Sequence, residues 1–103
     1  MSMEDRGQPT GMIMIMTFPG GTQEQYEAVL QQLNLGGRMP PGGIFHAAGP
    51  IEGGWRVVDV WETYHAFYSF SRQKLEPAMQ NAGVAYPEVE DWPLYSTLEP
   101  AVP

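Results

Sequence analysis

Asp59 is the one acidic residue inside an otherwise apolar run, Val57 to Trp61. If that run is a β-strand, alternation puts Asp59 on the same side as Trp55 and Trp61, a carboxyl group set among aromatic rings. Such surroundings disfavour the charged form and raise a carboxyl pKa, which suits a general base working near neutral pH. A core role, with the carboxylate accepting hydrogen bonds from a Tyr or Arg, accounts for the same pattern. His46 is the companion candidate, on a short stretch where Ile44, His46 and Ala48 share a face. A hairpin with Ala48 opposite Trp55 would place His46 across from Val57 and diagonal to Asp59, about 7 to 8 Å away, a gap that a substrate or water could bridge. A slip of one residue would turn His46 to the other face.

The remaining reactive types are weaker signals. Glu62 and His65 have the Glu-x-x-His spacing that puts two metal ligands on one helical face, but the motif occurs once and straddles a helix start. The helix dipole alone explains a Glu there, and no metal is expected. Tyr26, Tyr64, Phe67 and Tyr68 suit a core, and aromatic walls are also what a flat polycyclic ligand requires. The candidate substrate contacts are therefore Trp61, Trp55, Tyr26, Tyr64, His65 and Phe67. Arg56 falls on the face opposite Trp61 and is expected to pair with an acidic residue at a subunit seam. Pro19-Gly20-Gly21 lacks the dinucleotide G-x-G-x-x-G frame, and no nucleophilic serine elbow is present, so no cofactor is expected.

Residues 1–10 carry no apolar periodicity and read as a mobile tail, with one domain over residues 11–103. Gly11 to Phe18 alternates with apolar side chains on both faces: Met12, Met14, Met16 and Phe18 on one, Ile13 and Ile15 on the other. Pro19-Gly20-Gly21 stops this strand, and Thr22 with Gln25 forms a capping box for a helix whose apolar stripe is Tyr26, Val29, Leu30 and Leu33. Arg38-Met39-Pro40-Pro41-Gly42 reads as a loop able to cover a cavity mouth. Gly43 to Ala48 and Trp55 to Trp61 form a hairpin. A second helix starts near Thr63 with a stripe of Tyr64, Phe67, Tyr68, Ser71, Leu75 and Ala78. It should kink or restart at Pro77, which cannot donate to Gln73. Tyr86 to Pro93 reads as extended and irregular and Leu94 to Glu99 as a last, edge strand.

The charge balance bounds the function. Twelve acidic against five basic residues give a net charge of −7 with no Lys/Arg cluster to follow a phosphate backbone, which argues against nucleic acid. The absence of cysteine removes disulfides and thiolate chemistry. Met12 to Met16 is too short for a membrane span or a signal h-region, so the expected setting is cytoplasmic, with no membrane partner.

The order β-α-β-β-α-β predicts an α+β, ferredoxin-like fold: a four-stranded antiparallel sheet with both helices on one face. Strands one and three nonetheless carry apolar residues on their second face, and a bare sheet face of that size is rare in a soluble monomer. A homodimer packed sheet to sheet is expected.

Several stretches carry a resemblance. They are the Met/Ile-rich first strand ending in Phe-Pro-Gly-Gly-Thr, the run Gly-Gly-Trp-Arg-Val-Val-Asp-Val-Trp-Glu-Thr from Gly53, the aromatic helix after it, and Leu75-Glu76-Pro77-Ala78. Together, over about Gly11 to Leu98, the chain resembles the antibiotic-biosynthesis-monooxygenase-like proteins of the dimeric α+β barrel superfamily. That group spans cofactor-independent quinone-forming monooxygenases, haem-degrading enzymes, polyketide cyclases and members of unknown role, so fold does not select chemistry. The resemblance implies a pocket in each subunit between the sheet and its helices, with Trp61 close to it. Haem-degrading relatives carry an Asn on the first strand where this chain has only Met, Ile, Thr and Phe, which counts against haem.

The expected function is a small enzyme without metal or flavin. It would act on a hydrophobic aromatic or polyketide-like molecule by proton abstraction at Asp59 or His46, of monooxygenase or cyclase type. The alternative is a non-catalytic dimeric module that binds a small apolar ligand or has a structural role.

Overall fold

A computed structural model of the protein describes residues 11–102. The expected N-terminal tail lies outside the described residues. Five elements form as the periodicity predicts: β1 (Met12–Pro19), α1 (Gln23–Leu33), β2 (Gly43–Ile51), β3 (Gly54–Trp61) and α2 (Tyr64–Phe70). A π-helical turn (Ser71–Leu75), a short helix α3 (Glu76–Asn81) and β4 (Glu88–Pro93) complete the chain. The strands form one antiparallel sheet in the order β2-β3-β1-β4, with the helices on a single face, which is the ferredoxin-like α+β arrangement.

Local chemistry sets the helix ends. Thr22 Oγ1 accepts from the Gln25 N–H at 3.1 Å and Gln25 Oε1 accepts from the Thr22 N–H at 3.3 Å, the reciprocal capping box. Asn34 closes α1 in the left-handed conformation, at φ 53°. Thr63 caps α2 by accepting from the Ala66 N–H. Pro77 has no N–H to give, and the helix accommodates it by widening. The Glu76 N–H reaches back five residues to the Ser71 carbonyl, and α3 restarts with Pro77 in its first turn.

Two expectations about the sheet are corrected. The last strand is Glu88–Pro93, not Leu94–Glu99. It pairs with β1 only, every residue in it is exposed, and its acidic side chains suit an edge that must not recruit another strand. The β2–β3 hairpin is also tighter than expected. β2 runs on through Pro50, tolerated because β2 is an edge, and Ile51 pairs with Gly54 across a two-residue turn where Gly53 has φ 81°. Gly54 must be glycine for another reason: a Cβ there would stand 2.3 Å from the Phe18 carbonyl oxygen. At its other end β2 carries a bulge, because Gly43 pairs with Trp61 and Phe45 with Val60, leaving Ile44 as the extra residue.

The core lies between sheet and helices. Met12, Met14, Met16, Val57, Trp61 and Phe67 form its main cluster, and Val29, Ala78 and Met79 join α1 to α3. The opposite sheet face has no helix over it. Ile13, Ile15, Val58 and Val60 line its middle, and Phe45 and Trp92, 53% and 41% exposed, stand at its sides.

Candidate functional site

A cavity of about 450 Å³ opens between the sheet and its own helices, within the range that small-molecule pockets occupy. β1 and β3 supply its floor through Met16, Phe18, Trp55, Val57, Asp59 and Trp61. α1 supplies one wall through Tyr26, Val29, Leu30 and Leu33, and the bend around the π turn supplies Phe70, Leu75 and Met79. The loop between α1 and β2 reaches it with Arg38, Met39 and Pro40, the segment expected to cover a cavity mouth.

Four polar groups form one hydrogen-bonded chain along this cavity. His46 sits directly opposite Asp59 across the β2–β3 ladder, not diagonal to it, because the tight hairpin moves the register by two residues and leaves the faces unchanged. His46 Nδ1 lies 2.6 Å from Asp59 Oδ1, and Trp61 Nε1 donates to Asp59 Oδ2 at 3.1 Å. The Tyr26 hydroxyl lies 2.5 Å from His46 Nε2. With Asp59 a carboxylate, both its contacts are accepted bonds, so Nδ1 carries a hydrogen and Nε2 of a neutral ring presents its lone pair to the Tyr26 O–H. The Asp59 side chain is only 8% exposed, and both its oxygens are occupied. The imidazole is 28% exposed and borders the cavity.

The rings reinforce this order. The Tyr26 and His46 rings are parallel, with 1° between planes and centroids 5.9 Å apart, and meet through the hydroxyl–Nε2 contact, while the Trp55 ring lies 5.3 Å from Tyr26 at a tilt of 37°. Burial raises the Tyr26 pKa above its ordinary value of 10, and the nearby Asp59 charge raises it further. Tyr26 is therefore a phenol, a proton donor, across the physiological range. Trp55 Nε1 is buried with no acceptor among the described residues, a cost of about 1 to 3 kcal/mol that aromatic stacking on Tyr26 helps offset.

Five of the residues singled out from the sequence, Asp59, His46, Trp61, Trp55 and Tyr26, meet at this cavity. Three do not line it. Phe67 is buried behind Trp61, in an edge-on contact with centroids 5.6 Å apart. Tyr64 turns away to donate to Asp91 Oδ1 at 3.0 Å, and His65 points to solvent. Tyr64 lies three residues from Phe67 on the inward side of α2 and packs against the core, but it reaches the sheet at β4 and not at the cavity, whereas His65 falls on the exposed side. Glu62 is exposed as well, and among the described residues no three His, Cys, Asp or Glu side chains gather as a metal centre would need. Arg56 lies on the open face and donates from Nε to Thr17 Oγ1 at 3.0 Å.

The sequence pattern does not give the bond from Tyr26 to His46, and it gives Arg38 only as part of the mouth loop. The inward stripe on α1 carries the signal for Tyr26. Only tertiary placement of the helix over β2 turns that stripe into a contact.

No protein-family model matches the sequence, and a comparison with curated proteins finds no match. Solved structures do match in fold. A protein assigned by name to the antibiotic biosynthesis monooxygenases, from Chloroflexus aurantiacus J-10-fl, superposes with a TM-score of 0.63 at 15% identity, covering 87% of this chain and 98% of that one. SnoaB, a cofactor-independent oxygenase from Streptomyces nogalater, gives 0.59 at 15% identity over 88% and 98% of the two chains. A dimeric ferredoxin-like protein of unknown function from Thermobifida fusca gives 0.56 at 20% identity over 84% and 93%. The chain thus has the fold of the antibiotic-biosynthesis-monooxygenase type. No helix among the described residues is long and apolar enough to cross a membrane.

Proposed function

We propose that the protein is a cofactor-independent acid–base enzyme that removes a proton from a hydrophobic aromatic or polyketide-like molecule held in the cavity. The observation that carries this reading is the chain Tyr26–His46–Asp59–Trp61 on the wall of an otherwise apolar pocket. His46 is the base, and Asp59 fixes its tautomer and balances the imidazolium that forms, the division of labour familiar from hydrolase triads. Asp59 is not itself the base, because Trp61 and His46 already occupy its oxygens. A substrate C–H or O–H bond breaks as its proton passes to the Tyr26 oxygen, while the Tyr26 proton passes to His46 Nε2. The product is a carbanion, enolate or phenolate held in a mostly apolar pocket. That anion can then react with dioxygen, as in oxygenases, or with an electrophilic carbon of the same molecule, as in cyclases.

The fold of SnoaB supports the oxygenase branch by analogy only. The working unit in this proposal is a homodimer joined through the open sheet face. The uncovered Ile13, Ile15, Phe45, Val58, Val60 and Trp92 support it, as does the fold shared with a dimeric ferredoxin-like protein. Arg56, without a carboxylate partner among the described residues, is then placed to meet one across the seam.

The test is exchange of an acidic C–H for solvent deuterium, followed by NMR over a panel of enolisable aromatic ketones. The wild-type protein should accelerate exchange of at least one member, and His46→Asn should lose on the order of 10² to 10⁴ of that acceleration. Probes that bind without faster exchange would leave a non-catalytic ligand-binding module as the better reading.

A further inference from the structure

The cavity is apolar almost throughout, and Arg38 is the one cationic side chain that lines it. Among the described residues Arg38 pairs with no carboxylate, although the chain holds twelve acidic residues against five basic ones. A guanidinium at the rim of an apolar pocket, in a protein of net charge −7, is the local exception to a field that repels anions. Its loop is rich in glycine. Gly36, Gly37 and Gly42 all hold positive φ, at 68°, 80° and 89°, and nothing lies within 4 Å of where a Cβ would stand at Gly36 or Gly37. Arg38 is exposed on this loop and lines the cavity, and a guanidinium's fork of N–H donors matches a planar carboxylate.

From this we infer that the natural ligand is an anion: a flat hydrophobic acid whose apolar body fills the cavity and whose carboxylate is held at the mouth by Arg38. This rests on the cavity being the substrate site, as proposed above, and adds the ligand's charge. It also gives two sets of polar lining residues separate tasks. Arg38 orients the acid from the rim, and the Tyr26–His46 pair meets the reacting C–H or O–H within.

Isothermal titration calorimetry with 2-naphthoate and its neutral isostere 2-naphthamide, at pH 8 and low salt, tests the inference without turnover. The naphthoate should bind about ten- to a hundredfold tighter than the amide, the range expected for hydrogen bonds to a charged group. Added salt should erode that difference. In Arg38→Gln the two probes should bind alike, at the wild-type affinity for the amide. His46→Asn should keep the preference for the acid.

Equal affinity of the two probes for the wild-type protein overturns the inference, as does the absence of heat with either probe at millimolar concentration. A preference that survives Arg38→Gln but disappears in His46→Asn overturns it too, because the anion then sits on the imidazole. Failure of the exchange experiment alone would leave the charge preference standing, so the two readings can fall separately.

Discussion

His46 and Asp59 are direct cross-strand partners, with Nδ1 2.6 Å from Oδ1, so the orientation of the imidazole follows from the pairing register of the β2–β3 hairpin. A ring held in this way spends little of its freedom when a ligand arrives. The same carboxylate is clamped from its other side by Trp61 Nε1, which turns a buried charge into a fully satisfied one.

Asp59→Asn should separate chemistry from folding. The amide keeps the shape and can still accept from Trp61, but its NH₂ then faces Nδ1 and drives the hydrogen onto Nε2, away from the position a base needs. Activity should fall by on the order of 10² to 10⁴. Stability should change by no more than about 1 to 3 kcal/mol. Thermal midpoint and deuterium exchange measured on one sample decide this, and a stable, fully active variant would remove Asp59 from the mechanism.

Tyr26→Phe bears on pH. Because burial and the Asp59 charge raise the Tyr26 pKa, the folded state holds this proton more tightly than the unfolded chain does. The resulting stabilisation is fully present below about pH 10, the ordinary tyrosine value, and is lost as pH rises through the higher folded value. Denaturation midpoints followed from pH 8 to strong alkali should decline less steeply in Tyr26→Phe than in the wild-type protein. Parallel curves would show that Tyr26 gains no protection from its surroundings. At neutral pH the variant should also lose exchange activity while keeping the His46–Asp59 pair.

Trp61 is 1% exposed, and its ring fills the junction between sheet and α2. Trp61→Ala should therefore cost about 3 to 5 kcal/mol. Trp61→Phe retains much of the packing but leaves Asp59 Oδ2 without its donor, so it should cost less stability and proportionally more activity. Urea denaturation of the pair settles the first half, and a near-neutral Trp61→Ala would contradict the burial.

The open sheet face supplies the fourth expectation. Sedimentation at micromolar concentration should give the mass of two chains, and Val58→Glu, at the middle of that face and away from the cavity, should give one. A wild-type monomer would leave the apolar face without the proposed cover.

The parts of the fold legible in the sequence were those set by neighbours along the chain. The Thr22–Gln25 box, the restart at Pro77 and the two faces of β1 and β3 all depend on residues within one turn or one pleat of each other. Register was harder. Placing Ala48 opposite Trp55 assumed a wide connection, whereas Gly53 allows a two-residue turn, and the ladder advanced by an even step. An even step preserves faces, so His46 was correctly set beside Asp59 but at the wrong distance. β4 escaped notice because an edge strand paired on one side needs little apolar burial, and Glu88, Glu90 and Asp91 mask its alternation. Tyr64 and His65 do not line the cavity because a helix stripe seen in isolation does not say which strand it lies over: Tyr64 meets Asp91 on β4, and His65 is exposed.

The bulge at Ile44 has a consequence for how such a protein can diversify. The position of His46 is measured from the hairpin turn at Glu52-Gly53, at the far end of β2, and the extra residue lies between His46 and the loop that carries Arg38. Insertions or deletions in residues 35–42 can thus be absorbed before the ladder begins, without transmitting a slip to the imidazole. The rim can be lengthened, shortened or recharged while the His46–Asp59 pairing stays in place. Selection for new specificity and selection to keep the chemistry then act on separable stretches of one short chain.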